Sequence, residues 1–86
     1  MNVFIPSPLR SYTNNKATVQ ASGSTLSALL EDLDGQYPGL RFRMINEQDQ
    51  IRRHIRIFVN ATQTDTLEVA LGPEDQVHII CALSGG

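Results

Sequence analysis

Short stretches of alternating apolar and polar residues run along the chain, and this period of two predicts β-strands. Residues 3–5 are apolar and are stopped by Pro6, which favours a first strand that ends in a turn. Residues 17–21 alternate and predict a second strand. Asn14 and Asn15 lie between the two and are typical of a turn. The N-terminal part of the chain therefore predicts a β-hairpin.

The next segment has the period of an amphipathic helix. Thr25 is a suitable N-cap, since its hydroxyl can accept a hydrogen bond from a backbone N–H of the first turn. Pro38 and Gly39 end the pattern. The apolar positions recur at spacings of three and four and so share one face; they are Leu26, Leu29, Leu30, Leu33 and Tyr37.

The second half of the chain predicts further strands and turns. Residues 40–53 are polar and irregular, and we expect a loop there that contains a short strand or turn. The alternation predicts a strand over 55–59 and a last strand over 77–83. Between them the sequence favours a turn into a short edge strand over 60–65, a short helical turn over 67–71 and a tight turn over 72–75.

These elements predict an α+β fold in which one main helix packs on one face of a mixed sheet of four to five strands. The chain has 86 residues, so a single domain over 1–86 is expected, with 84–86 as a flexible C-terminal tail. A sheet covered on one side leaves its other face to water or to a partner.

Composition narrows the choice of partner and compartment. The net charge of -2 gives no general attraction to nucleic acid or to an anionic membrane, and no apolar run approaches a membrane span. The single cysteine, Cys81, favours a reducing, cytoplasmic setting. Since Cys81 is in register with Val77 and Ile79, it is expected to be a buried core thiol rather than a nucleophile.

Other polar residues give no catalytic or metal site. His54 and His78 lie far apart in the sequence and have no second ligand at metal spacing. A small basic cluster suggests a solvated loop or a contact with an acidic partner enzyme; it consists of Arg52, Arg53, His54 and Arg56.

The strand pattern also predicts an apolar patch on the open face of the sheet. The side chains that alternate with the core set are Phe4, Pro6, Phe58, Ile80 and Ala82. Such patches often mark interaction sites, so we expect them to contact a partner, together with Leu83 next to the tail. The alternative is that some of these residues cover one another or the 40–53 loop.

Short motifs are spread along nearly the whole chain and include Ile5-Pro6, Leu9-Arg10, Ala21-Ser22-Gly23, Thr25-Leu26, Tyr37-Pro38-Gly39-Leu40, Ile57-Phe58-Val59-Asn60, Ile79-Ile80 and a closing Gly85-Gly86. Together these residues resemble the ThiS/MoaD family of sulfur carriers, which have the ubiquitin-like β-grasp fold. Within that family the chain is most similar to the CysO-type carriers of cysteine biosynthesis.

The resemblance implies a function for the tail Ser84-Gly85-Gly86. An E1-like adenylyltransferase of the MoeB/ThiF type would use ATP to adenylate the Gly86 carboxylate, which sulfur then converts to a thiocarboxylate. A second enzyme would accept the sulfur, either a cysteine-synthase-like enzyme or the large subunit of molybdopterin synthase. The chain itself would supply no catalytic residue and would bind no metal or cofactor.

Two other functions fit the same sequence. The chain could be a ubiquitin-like modifier that is joined to target proteins through Gly86, or a plain β-grasp interaction domain with an incidental Gly-Gly end. Cysteine biosynthesis is the favoured pathway for a sulfur carrier, while molybdopterin and thiamin biosynthesis remain open.

Overall fold

The computed structural model of the chain describes residues 1–82, which form two layers. A mixed sheet of five strands makes one layer, and two helices cover its inner face. In chain order the elements are β1 (Asn2–Phe4), a 3₁₀ helix (Ser7–Thr13), β2 (Thr18–Gln20), α1 (Leu26–Gln36), α2 (Leu40–Met44), β3 (Ile55–Val59), β4 (Thr62–Thr64) and β5 (Val77–Cys81).

The sheet has the strand order β2-β1-β5-β3-β4. The first and last strands, β1 and β5, run parallel at its centre, and every other neighbouring pair is antiparallel. Val3 lies opposite Val77, and Ile57 lies opposite Ile79. All four are buried, so alternate side chains of these strands point toward the helices, as predicted.

Helix α1 confirms the strongest prediction from the sequence. The Thr25 hydroxyl oxygen accepts a hydrogen bond from the Ala28 N–H at 3.2 Å, which caps the first turn. The four leucines of its apolar face, at 26, 29, 30 and 33, are fully buried. At the other end the Tyr37 N–H donates to the Leu33 carbonyl at 2.8 Å, one residue before Pro38.

The predicted helical turn over 67–71 is wrong, because this segment is extended and bonds to the start of α1. The N–H of Leu26 donates to the Val69 carbonyl at 3.0 Å, and that of Ser27 donates to the Leu67 carbonyl at 2.9 Å. The first N–H groups of a helix have no partner within the helix. The carbonyls of the 67–71 segment accept hydrogen bonds from these N–H groups. These tertiary hydrogen bonds keep the segment extended although its sequence has a weak helical pattern.

The predicted loop over 40–53 contains a short helix, α2, that the sequence analysis missed. Its start at Gly39 has a φ of +93°, a backbone conformation that favours glycine. Leu40, Met44 and Ile45 are fully buried, so the segment belongs to the core. The short strand or turn expected inside it exists as a bridge between Ile45 and Ile51.

The hairpin between β1 and β2 is confirmed, but its connection is more ordered than a turn. The 3₁₀ helix Ser7–Thr13 fills it, and the buried Thr13 hydroxyl donates to the Lys16 carbonyl at 2.8 Å. Asn14 and Asn15 have φ values of 54° and 65°, which confirms the turn predicted there.

The last strand, predicted over 77–83, spans Val77–Cys81 within the described residues, and Leu83 lies outside them. The tight turn over 72–75 that precedes it is confirmed, because the Asp75 N–H donates to the Gly72 carbonyl at 3.1 Å. Across residues 1–82, neither α1 nor α2 has the length and apolar character that a membrane span needs.

Candidate functional site

The C-terminal end of β5 fixes the place from which the tail departs. Cys81 pairs with Ile55, and the Ala82 N–H donates to the His54 carbonyl at 2.7 Å, which extends the pairing of β5 with β3 by one residue. The predicted tail, Ser84, Gly85 and Gly86, and the predicted contact residue Leu83 lie outside the described residues. Their starting point is therefore the end of the central strand, beside the first residue of β3.

Three aromatic side chains form a row across the open face of the sheet. Phe4 in β1 and Phe58 in β3 both lie opposite His78 in β5. The rings of Phe4 and His78 stack with their centroids 4.3 Å apart and an interplanar angle of 7°. This stack fixes both rings in one orientation. The placement of Phe4 and Phe58 on one face agrees with the alternation seen in the sequence.

Ile80 stands next along the same face and is 45% exposed. It lines a shallow groove of about 500 Å³ together with Phe4 and Pro6. Ala82 follows two positions later, directly after the end of β5, and is half-buried. Burying an isoleucine of this kind against a partner is favourable because it removes apolar surface from water. Of the predicted patch, the structure brings Phe4, Pro6 and Ile80 together in one groove. Contact of the patch with a partner stays a prediction.

Two members of this surface were not predicted from the sequence. His78 was considered there only as a metal ligand, but it is the centre of the aromatic row. Arg10, which also lines the groove, comes from the 3₁₀ helix that was not predicted. Its Nε donates to the Ile5 carbonyl at 3.0 Å, which holds the guanidinium beside the end of β1.

The prediction of a buried core thiol is correct only in part, because Cys81 packs against the core but is half-buried. It is the last residue of β5 and packs against the core cluster from its margin, at the end of the sheet. Burial raises the pKa of its thiol. A smaller fraction is therefore thiolate at neutral pH, which disfavours a nucleophilic role.

The predicted basic cluster divides into two groups in the structure. Arg52 turns toward α2, where its Nε donates to the Phe42 carbonyl at 2.7 Å and its guanidinium lies 4.5 Å from the centre of the Phe42 ring. Arg56, in β3, donates through Nη1 to the Arg53 carbonyl at 2.6 Å. Arg56 is thereby held near the end of β5, where it lies opposite Ile80.

Within residues 1–82 no three His, Cys, Asp or Glu side chains converge as a metal site would require. His54 directly precedes β3 at the end of the sheet, whereas His78 lies in β5, in the aromatic row. The described residues present an apolar surface beside the end of β5.

Comparisons with known proteins agree with this geometry. The profile of the ThiS family matches residues 3–86. The sulfur carrier protein CysO of Mycobacterium tuberculosis is 33% identical over 91 aligned residues, which span all of this chain and 98% of that protein.

Solved structures give the same result for the fold. CysO of Amycolatopsis orientalis, solved in a complex with BexX, superposes with a TM-score of 0.90 at 28% identity and covers 99% of this chain and 98% of that one. The small archaeal modifier protein 1 of Methanosarcina acetivorans gives a TM-score of 0.82, with 99% and 94% covered. At 23% identity that second likeness concerns the fold alone. The predicted β-grasp fold is confirmed.

Proposed function

The chain belongs to the ThiS family, and we propose that it is a sulfur carrier whose C-terminal Gly86 carboxylate holds the sulfur. The observation that carries the proposal is the extent of the likeness. The family match runs to residue 86, and the alignment with a sulfur carrier spans this chain from end to end.

The proposed cycle activates a carboxylate that is otherwise a poor electrophile. An E1-like adenylyltransferase of the MoeB/ThiF type joins a Gly86 carboxylate oxygen to the α-phosphorus of ATP and releases pyrophosphate. A sulfide donor then attacks the acyl carbon, the bond to AMP breaks, and a thiocarboxylate remains. The partner enzymes supply ATP and the catalytic groups, so the carrier acts as their co-substrate.

The fold supports this proposal by presenting the tail. Central strand β5 is paired with β1 at Val77 and His78 and with β3 from Val77 to Cys81, so β3 holds the end from which the tail departs. Four residues follow Ala82 and span at most about 13 Å when extended. Glycines at the end of such a segment can enter a narrow channel because they lack a Cβ. The enzyme that receives Gly86 must therefore come within this distance of the end of β5, and we place it against the adjacent open face.

We place the carrier in cysteine biosynthesis, with a cysteine-synthase-like enzyme as the sulfur acceptor. The support is the likeness to CysO over the whole chain. The complex of the Amycolatopsis CysO with BexX supports docking of such a carrier on another protein. The single cysteine fits a cytoplasmic location, where thiols remain reduced.

Blocking the C-terminus tests the proposal. A variant with one alanine appended after Gly86 is incubated with ATP, the adenylyltransferase of the source organism and sulfide, beside the wild type. We expect no pyrophosphate release above background from the extended chain and an unchanged urea midpoint, because the addition lies beyond the sheet. Equal pyrophosphate release by both proteins would contradict the proposal.

The same experiment, together with a search for conjugates in cell extracts, separates the alternatives. A plain interaction domain would give no ATP-dependent product with either chain. A protein modifier would be adenylated too, but cell extracts would then contain high-mass conjugates that disappear when Gly86 is deleted. A sulfur carrier forms a thiocarboxylate and yields no such conjugates.

A further inference from the structure

Two large apolar side chains are exposed among residues 1–82, and they belong to different layers of the fold. Ile80 stands on the open face of the sheet and is 45% exposed. Phe42 belongs to α2 in the helix layer and is 53% exposed. Its neighbours in α2, Leu40 and Met44, are fully buried. The Phe42 side chain is therefore presented to solvent by a helix that is anchored in the core.

Arg52 orders the side chain of Phe42. Its guanidinium carbon lies 4.5 Å from the centre of the Phe42 ring, and its Nε donates to the Phe42 carbonyl oxygen at 2.7 Å. The ring attracts the cation over its face, and the hydrogen bond to the same residue holds the pair together. Phe42 and Arg52 form a surface that we call the α2 platform. Aromatic residues and arginine are both enriched where proteins bind one another.

The α2 platform lies at the end of the sheet from which the tail departs. The Arg52 carbonyl accepts a hydrogen bond from the Ile55 N–H at 3.0 Å, at the start of β3. His54, which lies between these two residues, accepts from the Ala82 N–H at 2.7 Å. The platform is thus two residues away from the backbone contact with Ala82 and belongs to the helix layer, whereas Ile80 borders the same point on the open face.

The segment that carries the platform is positive although the chain as a whole is negative. Residues 41–56 contain five of the seven Lys and Arg residues and two of the nine Asp and Glu residues. Arg41 is paired with Asp49 at 3.2 Å. Within residues 1–82, neither Arg43 nor Arg52 has a carboxylate at ion-pair distance. A partner that docks here is therefore expected to bring a negative group.

The order of events in the proposed cycle indicates which partner this is. Sulfur replaces AMP while the activating enzyme still holds Gly86, and we place that enzyme against the open face. The α2 platform is then the exposed apolar surface that remains beside the start of the tail. A free sulfide ion needs no apolar docking surface, so the platform suits a donor protein that carries the sulfur as a cysteine persulfide. The reactive form of such a sulfur is an anion, which the arginines complement.

Resting on the proposed function, we propose that a protein bearing a cysteine persulfide docks on the α2 platform through Phe42 and Arg52 and delivers its sulfur to adenylated Gly86. The terminal sulfur anion attacks the Gly86 acyl carbon, and AMP leaves with the electron pair of the broken bond. A thiol then attacks the donor's own sulfur in the resulting acyl disulfide. The thiocarboxylate leaves, the donor and the thiol are joined as a disulfide, and the proton of the thiol passes to the buffer.

A comparison of two sulfur sources tests the proposal. Each chain is incubated with ATP, the adenylyltransferase of the source organism and either free sulfide or a purified sulfurtransferase of that organism, loaded as its persulfide and kept below saturation. Thiol is added to the donor reaction only after an acid quench, so that no sulfide is released while the enzyme is active. Intact-protein mass spectrometry measures the thiocarboxylate. The variants are Phe42→Ala and Arg52→Ala, with Arg43→Ala as the control at an exposed neighbour in α2.

We expect Phe42→Ala to slow sulfur transfer from the donor protein about five- to twentyfold, because truncating an aromatic anchor weakens docking. The rate with free sulfide should stay at the wild-type value, which also shows that the variant is folded. Arg52→Ala should slow the donor reaction about two- to fivefold, with a smaller effect at about 0.5 M salt; it carries the test if Phe42→Ala does not fold. Arg43→Ala should match the wild type with both sources. Ile80→Ala should slow both reactions alike, since it lies on the face that we assign to the activating enzyme.

Three results would overturn the proposal while leaving the sulfur-carrier function intact. The first is equal donor rates for Phe42→Ala and Arg43→Ala. The second is an equal slowing of Phe42→Ala with both sources, which would assign the residue to activation. The third is a wild-type chain that accepts sulfur from free sulfide but from no sulfurtransferase of the source organism. A wild-type chain that forms no thiocarboxylate from either source would instead refute the proposed function itself.

Discussion

Two glycines offer a matched test of the packing described above. Gly23 connects β2 to α1, and a Cβ placed on it would lie 2.4 Å from the Leu29 nitrogen and 2.8 Å from the Ala28 carbonyl carbon. Both are backbone atoms of the first turns of α1, which cannot rotate away as a side chain can. Gly35 lies in α1 itself, and a Cβ there would have no atom within 4 Å apart from its chain neighbours and the nearby backbone of the same helix.

Gly23→Ala and Gly35→Ala therefore have opposite expected effects. Overpacking against a fixed backbone should lower the free energy of unfolding by about 3 kcal/mol for Gly23→Ala. Alanine in place of an exposed glycine inside a helix should raise it by about 0.5–1 kcal/mol for Gly35→Ala. For a small domain a loss of about 3 kcal/mol is a large part of the total stability.

Urea denaturation followed by circular dichroism measures both effects. With an m value of about 1–1.5 kcal/mol/M, Gly23→Ala should lower the midpoint by about 2–3 M, and Gly35→Ala should raise it by less than about 1 M. An unchanged m value shows that the same surface is exposed on unfolding. A Gly23→Ala protein as stable as the wild type would refute the close approach of residue 23 to α1.

Two further substitutions test other parts of the structure. Met44→Ala should lower the free energy of unfolding, measured by urea denaturation, by about 2–5 kcal/mol because Met44 is fully buried in α2. Arg43 is its exposed neighbour, and Arg43→Ala should lower the same quantity by less than about 0.5 kcal/mol. Equal effects would contradict the packing of α2 in the core. The hydrogen bond from the Gly72 N–H, at 2.7 Å, and that from the Asn60 amide hold the pKa of Asp75 below its ordinary value of 3.8. The charged form is thus favoured in the folded state, so this contribution to stability is present above pH 3.8 and is lost as the pH falls through the lower, folded-state pKa. Asp75→Asn should show a shallower loss of stability on acidification than the wild type, and parallel acid profiles would contradict the assignment.

The elements that the sequence predicted are those whose signals are local. Helix α1 has a capping threonine and leucines at helical spacing, and β3 and β5 show clear alternation over five residues each. Each signal is read from a short window, and the tertiary structure agrees with it. The sheet, its covering helix and its open face could therefore be predicted from the sequence alone.

The elements that the sequence missed depend on contacts with distant residues. Helix α2 spans five residues, starts at a glycine and has no side-chain cap, and its one local signal is the spacing of four between Leu40 and Met44. The 67–71 segment is extended because its carbonyls accept from the first N–H groups of α1. No pattern within either segment indicates the distant residues of the chain that it contacts.

The candidate site was likewise predicted where the signal is local and missed where it depends on contacts between distant residues. Alternation in the strands placed Phe4, Phe58 and Ile80 on one face. Their arrangement around His78, and the approach of Arg10 and Arg56 from either side, follow from strand order and register. These relations join residues far apart in the sequence, and only the fold reveals them.

The central claim is that the Gly86 carboxylate becomes a thiocarboxylate, and intact-protein mass spectrometry measures this directly. The wild-type chain is incubated with ATP, the adenylyltransferase of the source organism and sulfide. The account predicts a product heavier by the difference between one sulfur and one oxygen atom, located in the C-terminal peptide and absent without ATP. A chain that stays unmodified with every adenylyltransferase of the source organism would contradict the account.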